Sequence, residues 1–321
     1  MHASYDKNAA IVVLPPVSDG RLENSSLRGW LAHADLKREP GPINPLAHIL
    51  RELGCLYPED GLGALRMWGQ TGERPPNWIA AADAVYLEPR LDHLVLHALR
   101  SDVSAGDMRT LIDHLQSTLA DDRQFGFTRV GSCCYVSAQV PFATSSVPAS
   151  LVDNKKPDDY LPTDSGSEAH RRLLSEIEMA LHEHEVNRKR ETEGELPVNS
   201  LWLWGGGKAP DQVPRPQPPL YSDDALLSGY WLAGHGLSEP WRSVGNCLEQ
   251  SVAGFVAEVP EENDDPAVLV ECLNELRAAL HSRRLDSLTL LFRDGLRAYV
   301  RRSHSLRVWR RDVSLLDTPV S

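Results

Sequence analysis

The sequence predicts a mixed α/β protein, and three patterns support that prediction. Residues 11–14 (IVVL) form a short apolar run that two prolines close, which indicates an opening strand. Apolar side chains recur at helical spacing across residues 108–119 and predict a helix. Residues 199–204 (NSLWLW) carry large apolar groups on both faces, so we expect a central, fully buried strand there. Strands and helices in alternation are typical of α/β folds.

Composition bounds the possible classes of protein. The chain has 321 residues, of which 41% are hydrophobic and 24% charged, as in globular proteins of one large domain or two. Its net charge of −12 argues against nucleic acid as the main partner, because binding nucleic acid requires a basic surface. No apolar run is long enough to span a membrane, and the first residues lack the pattern of a secretory signal. We therefore expect a soluble cytoplasmic protein.

The five cysteines are scattered, apart from the adjacent pair Cys133 and Cys134, and none forms a C-x-x-C motif. This pattern predicts free thiols in a reducing compartment and argues against a disulfide framework or a zinc site. We expect no cofactor and no bound metal. The alternative is a catalytic thiol at this pair.

Capping motifs predict where several helices begin. Ser104 and Asp107 form a capping box, with Asp in place of Glu, at the start of the helix over residues 108–119. Ser165 and Glu168 form a second capping box before another helical stripe. Pro266 predicts the first turn of a third helix. Further strands are expected at residues 93–96 and 127–136.

A C-terminal β-hairpin is predicted around Asp294 and Gly295. A two-residue loop would place Phe292 opposite Arg297, whereas a three-residue loop pairs Phe292 with Leu296. The apolar pattern selects the three-residue loop, with Gly295 in the left-handed conformation.

Arginines are concentrated near the C-terminus, where residues 281–312 hold nine arginines and three acids. On the hairpin, Arg297, Tyr299 and Arg301 should share a polar face. These arginines could bind phosphate or an acidic partner. The alternative is the solvated face of an edge hairpin, where charge discourages aggregation.

A glycine-rich turn, Gly205-Gly206-Gly207-Lys208, directly follows the predicted buried strand. Free backbone N–H groups and the Lys208 ammonium could hold a phosphate there. The phosphate-loop pattern G-x-x-x-x-G-K-S/T is not met, and prolines follow instead of a helix. The alternative is a tight turn where backbones crowd.

Two segments resemble a known family. Residues 184–190 (HEVNRKR) and 196–207 (LPVNSLWLWGGG) are similar to the H-x-x-N-x-x-R and N-x-x-L-x-x-G-x-G stretch of archaeal-type cofactor-independent phosphoglycerate mutases. They resemble still more the bacterial proteins called regulation of pathogenicity factor E, which are phosphoglycerate-mutase-like. Residues 82–87, 92–96 and 306–311 add looser matches, so the resemblance covers roughly residues 80–312.

The resemblance implies a degenerate α/β core like that of the alkaline-phosphatase superfamily. A smaller α+β domain should interrupt it, and the C-terminal β-hairpin should complete it. The expected boundaries are residues 1–79 and 206–312 for the core, 80–205 for the inserted domain and 313–321 for a tail.

The resemblance also implies which chemistry is missing. The mutases of this family hold two metal ions with an Asp-Gly-x-Gly-Asp run after the first strand and with late Asp and His ligands. Here the first strand leads to Ser18-Asp19-Gly20, so one Asp survives at best. Two metals require several converging carboxylates and imidazoles. We therefore expect a catalytically inactive regulatory protein. The alternatives are an active mutase or related phosphotransferase, and a protein–protein interaction module.

A ligand site, if the chain retains one, should form where the two matching segments meet. Its ligand would be a small phosphorylated metabolite or another anion, and a protein partner is also possible; no contact with nucleic acid or membrane is expected. Alternatively, the asparagines only cap backbone at the ends of elements. The candidate residues are Asn187, Arg190, Asn199, Gly205, Gly206, Gly207 and Lys208.

Overall fold

The computed structural model describes residues 8–99, 102–120, 125–163, 167–215, 218–263, 265–307, 309–310 and 313–317. The chain forms two compact units. The first consists of Met1–Tyr57 and Gln212–Ser321, and the second of Pro58–Asp211. The second unit extends beyond the expected segment 80–205 at both ends, because the helix Leu62–Thr71 packs against its sheet.

The described residues form twelve strands and ten α-helices. The strands are β1 (Ala9–Leu14), β2 (Asp35–Arg38), β3 (Trp78–Pro89), β4 (Leu94–Ala98), β5 (Phe125–Val130), β6 (Cys133–Ala138), β7 (Ser200–Gly207), β8 (Leu220–Tyr221), β9 (Ser238–Glu239), β10 (Gly254–Glu258), β11 (Ser287–Phe292) and β12 (Leu296–Arg301). The helices are α1 (Ser25–Ala32), α2 (Pro45–Leu53), α3 (Leu62–Thr71), α4 (Ala105–Leu119), α5 (Ser167–Leu181), α6 (Glu185–Thr192), α7 (Ala225–Ala233), α8 (Val244–Gln250), α9 (Pro266–His281) and α10 (Ser314–Asp317).

The first unit is built on a seven-stranded sheet in the order β2-β12-β11-β1-β10-β8-β9. Strand β1 pairs in parallel with both β10 and β11, and β8 pairs in parallel with β10. Every residue of β1 and β11 is buried, as expected for parallel strands that are covered on both faces. The opening strand predicted from sequence is therefore confirmed, and it lies in the middle of this sheet.

The C-terminal hairpin has the three-residue loop that the apolar pattern predicts. Leu288 pairs with Val300, and Gly295 has a φ of +87°. A Cβ atom on Gly295 would also collide with the carbonyl oxygen of Glu39, so glycine is required twice over. The expectation of an edge hairpin is wrong, because β2 pairs along the outer side of β12.

The second unit contains an antiparallel sheet in the order β4-β3-β6-β5, with β7 also paired to β3. Helices α4 and α5 cover one face of this sheet with the apolar stripes that their sequences predict. Ser104 caps α4 by accepting a hydrogen bond from the Asp107 N–H, which confirms the predicted N-cap, while the Asp107 carboxylate binds the Ser104 hydroxyl at 2.8 Å. The second proposed capping box begins at residue 165, outside the described residues.

Strand β7 is buried on both faces, as predicted, with its two tryptophans, Trp202 and Trp204, at most 3% exposed. However, β3 rather than β7 is the central strand. Beyond β7, only an isolated bridge from Trp204 to Ser145 is found among the described residues. The sequence pattern reports burial on two faces, which a covered outer strand achieves as well as a central one.

All five cysteines are free thiols. Among the described residues, no helix combines the length and apolarity needed to cross a membrane.

Candidate functional site

The carboxyl ends of β1, β8, β10 and β11 meet at one edge of the sheet of the first unit, because these strands are parallel. Ligands of open α/β sheets bind outside the carboxyl ends of the strands. Five polar side chains follow or end these strands, four of them buried and Arg293 half-buried: Ser18, Ser222, Glu258, Arg293 and Asp294. This carboxyl edge is therefore a candidate site.

An ion pair between the buried Glu258 and the half-buried Arg293 lies at the carboxyl edge. Arg293 Nη2 donates to Glu258 Oε1 at 2.8 Å, and Arg293 Nη1 donates to the carbonyl of Val259 at 2.9 Å. The Ser222 hydroxyl donates to Glu258 Oε2 at 2.6 Å and in turn accepts the Asp224 N–H at 2.9 Å. Both oxygens of the Glu258 carboxylate are therefore occupied by partners from this chain.

The protonation of Glu258 is shifted by its surroundings. Burial, reinforced by the nearby Asp224 and Glu261 carboxylates, raises the pKa of Glu258 to about 7, against the opposing effects of Arg293 and the Ser222 hydroxyl. The protein therefore favours the protonated form of this carboxyl more than water does. Such a group can exchange a proton, but it is a poor metal ligand while protonated.

Asp294 holds the loop that follows β1. Its Oδ2 accepts the N–H groups of Val17 at 3.2 Å and of Ser18 at 2.8 Å. Arg38 Nη1 donates to the Asp294 carbonyl at 2.7 Å. Asp19, the one acid that follows the first strand, is exposed and has a φ of +59°. Asp294 therefore stabilises the loop, whereas Asp19 faces solvent.

The two-metal centre that the resemblance implies does not fit this edge. The buried carboxylates of Glu258 and Asp294 are bonded to guanidinium, hydroxyl or backbone N–H groups. Within the described ranges, no group of three or more His, Cys, Asp or Glu side chains is arranged to hold a metal ion.

The asparagine and arginine of α6 bind backbone. Asn187 Nδ2 donates to the carbonyls of Leu181 and Val198, and its Oδ1 accepts the Val198 N–H, at 2.9–3.0 Å. Arg190 Nε donates to the Leu196 carbonyl, and its guanidinium also meets Glu195 at 2.9 Å. These two buried side chains tie α6 to the segment that leads into β7, which supports the capping alternative.

Asn199 also binds backbone, because its side-chain amide exchanges two hydrogen bonds with Leu87, at 2.7 and 2.9 Å. It lies at the start of β7, whereas Gly206 lies near its end. Seven residues of extended strand span about 20 Å. The expected convergence of the asparagines with the glycine turn is therefore wrong, since a strand separates the two groups.

Gly205, Gly206 and Gly207 form the end of β7, so the predicted turn at these residues is wrong, but their backbone is crowded as the alternative expected. The Gly205 N–H donates to the Ser145 carbonyl and the Gly206 N–H to Thr144 Oγ1, both at 2.8 Å, so neither is free for an anion. A Cβ atom on Gly206 would collide with the Trp78 ring, and one on Gly207 with the backbone of Gly61. Glycine is required here by close packing.

Lys208 is exposed and lines a cavity of about 560 Å³ together with Trp78, Phe125 and Gln116. Gly205 and Gly206 line a different cavity, of about 590 Å³. The sequence-predicted residues are thus divided among backbone contacts and two cavities. Anion binding by Lys208 stays a prediction.

Several of the C-terminal arginines have intramolecular partners. Arg297 forms two hydrogen bonds with Glu52, and Arg307 and Arg310 both bind Asp35, whose pKa their hydrogen bonds lower to about 2. The prediction that these arginines form a solvated face is therefore partly wrong. The carboxylates that bind these arginines lie about 245–275 residues away in sequence.

Sequence reasoning missed Glu258, Arg293 and Ser222 as site residues. The available signal was weak: a charged residue at the end of each of two apolar runs. Nothing in the sequence indicates that these ends are adjacent strands.

Comparisons with known proteins place the chain near one group of enzymes. No family model matches the chain. It is 31% identical over 110 residues to the 2,3-bisphosphoglycerate-independent phosphoglycerate mutase of Methanosarcina acetivorans, a match that covers 34% of this chain and 28% of that enzyme. It is 30% identical over 128 residues to a probable mutase of the same kind from Geobacter sulfurreducens, covering 39% of this chain and 32% of that protein.

Two solved structures were also compared. A cofactor-independent phosphoglycerate mutase from Thermoplasma acidophilum aligns over 92% of this chain and 89% of its own, with 16% identity and a TM-score of 0.41. A Pyrococcus horikoshii protein aligns over 88% and 81%, with 12% identity and a TM-score of 0.49. Both scores are below 0.5, so the sequence matches carry the comparison. Over about a third of its length, the chain is a distant homologue of the cofactor-independent phosphoglycerate mutases, and the match spans less than a third of those relatives.

Proposed function

We propose that this chain is a metal-independent, catalytically inactive relative of the phosphoglycerate mutases with a regulatory, ligand-binding role. The observation that carries the proposal is the Glu258–Arg293 pair at the carboxyl edge of the sheet. The Arg293 guanidinium is permanently charged and is bonded to Glu258 and to the Val259 carbonyl. The pair lacks the open coordination positions through which a metal ion activates a phosphoryl group.

Mutase activity is the test. The purified chain, supplied with Mn²⁺ or Zn²⁺, should not convert 3-phosphoglycerate to 2-phosphoglycerate, and elemental analysis should find no stoichiometric metal. The Methanosarcina acetivorans enzyme, run in parallel, is the positive control. Conversion by a chain that holds two metal ions would instead establish the alternative, an active mutase, which the sequence similarity to curated mutases favours.

The ligand proposed for the regulatory role is a small phosphorylated acid, in line with the resemblance to the phosphoglycerate mutases. Thermal shifts with phosphorylated three-carbon acids would detect it. Lys208→Ala is the informative variant, because Lys208 is exposed and its loss should leave the fold intact. Asn187→Ala should lower the melting temperature without any ligand, since Asn187 holds three backbone groups. Equal shifts in wild type and Lys208→Ala would remove Lys208 from the site.

A further inference from the structure

We infer that the first unit has a binding site for a small organic anion with an aromatic or apolar portion. It lies between α1, the end of α9 and the segment that follows the C-terminal hairpin, in a cavity of about 660 Å³. This site does not depend on the proposed function, because it is separate from the carboxyl edge and from Lys208.

Positive charge is concentrated on the walls of this cavity, which include three arginines, Arg28, Arg277 and Arg310. Arg277 Nη1 donates to the Ser26 hydroxyl at 2.9 Å, and within the described part of the chain Arg277 has no carboxylate partner. Arg310 shares the single carboxylate of Asp35 with Arg307. Among the described residues that line the cavity, Glu23 is the one carboxylate, so the walls hold three guanidinium groups and one carboxylate in a chain whose net charge is −12.

The remaining arginine is already neutralised. Arg28 donates to both oxygens of Asp317, at 2.8 and 2.6 Å, and so forms one fixed side of the cavity. Arg277 is therefore the group best placed to bind an incoming anion. A guanidinium offers several N–H donors in one plane, which matches a carboxylate or a phosphate group.

The floor of the cavity is apolar. Trp30, Ala32 and Val313 line it, and Trp30 is only 7% exposed. Gly29 also lines it, and a Cβ atom added there would meet no atom within 4 Å. Pockets for small molecules combine such an apolar surface with a few polar groups that fix orientation. An anion with an aromatic or apolar portion fits both features better than an inorganic ion does.

The hydroxyls of Ser25, Ser26 and Ser305 complete the polar rim. Those of Ser25 and Ser26 can donate to further oxygens of the ligand, whereas the Ser305 hydroxyl already donates to the Arg302 carbonyl at 2.8 Å. Two histidines, His33 and His281, lie on the same walls. The site therefore offers donors on several sides and an apolar floor between them.

Calorimetric titration of the full chain with phenyl phosphate, inorganic phosphate and phenol tests this inference. We expect phenyl phosphate to bind more tightly than phosphate, and phenol not to bind. Arg277→Ala should weaken phenyl phosphate binding roughly tenfold, the loss expected for one hydrogen bond to a charged group. Gly29→Leu should block the cavity, and it places a better helix former in the middle of α1, so the variant should fold.

The matched control is Arg172→Ala, which removes an arginine whose side chain is 82% exposed in the second unit. It should bind phenyl phosphate as wild type does. No binding by wild type, or equal affinity in Arg277→Ala and Arg172→Ala, would overturn the assignment. Equal affinity for phosphate and phenyl phosphate would overturn its aromatic part, and full binding by Gly29→Leu would place the ligand elsewhere.

Discussion

Replacing Asp83 by alanine should destabilise the second unit by about 3–5 kcal/mol, because it would leave the buried Arg66 guanidinium without a carboxylate. Arg66 is 7% exposed, and its Nη1 lies 2.8 Å from Asp83 Oδ1. Its Nη2 donates to the Cys134 carbonyl at 2.9 Å. Burial, the largest single effect, lowers the pKa of Arg66, but Asp83 together with Cys133 and Tyr135 raises it, and the net direction is upward. A guanidinium is so basic that it stays charged in proteins, so the unpaired Arg66 would remain a buried cation.

Two further contacts place the expected loss in the upper part of that range. Asp83 Oδ2 accepts the Trp204 Nε1–H at 2.7 Å and the Ala149 N–H at 3.3 Å, so alanine leaves these donors unpaired as well. The Arg66 guanidinium lies 4.9 Å from the Tyr135 ring and 5.1 Å from the Trp204 ring. These aromatic contacts survive the substitution and offset a small part of the cost.

The companion variant combines Asp83→Ala with Arg66→Met, which removes the buried charge and keeps an apolar side chain of similar length. Replacing both members of a buried pair often costs little, so the double variant should regain about 2 kcal/mol or more over Asp83→Ala. Urea unfolding followed by tryptophan fluorescence measures both values. A loss below about 1 kcal/mol in Asp83→Ala, or a double variant no more stable than the single one, would refute this reasoning.

Two other substitutions test the two units separately. The pKa of Glu258 in the folded chain, about 7, lies above its ordinary value of 4.5, so its contribution to stability is complete below pH 4.5 and is lost as the pH rises through 7. The unfolding free energy of wild type should therefore fall relative to Glu258→Gln by up to about 3 kcal/mol between pH 5 and pH 8, and a difference that does not change with pH would contradict this. Trp202→Ala should cost about 3–5 kcal/mol in urea unfolding, because it empties a buried site and frees the Val147 carbonyl to which Trp202 Nε1 donates. An unchanged melting temperature would show that Trp202 is not packed as described.

Local pattern was sufficient for much of the fold. The apolar run before two prolines, the N-cap at Ser104 and the alternation around Gly295 each involve residues close in sequence, and each is found as predicted. Register follows from a two-residue period, and a turn follows from the backbone conformation that glycine allows. Burial of β7 followed from the same reasoning, although its place at the side of β3 did not.

The roles of the polar residues were decided by tertiary structure. Asn187 and Asn199 can satisfy either a ligand or the backbone, and only the adjacency of Val198 and Leu87 assigns them to the backbone. The carboxyl edge was likewise hidden, because Glu258 and Arg293 are 35 residues apart and are brought together only by the strands that precede them. The repeat of apolar residues along a strand specifies which face of the sheet each side chain occupies. It does not specify which residue that side chain will contact, because strand order depends on how the whole chain packs.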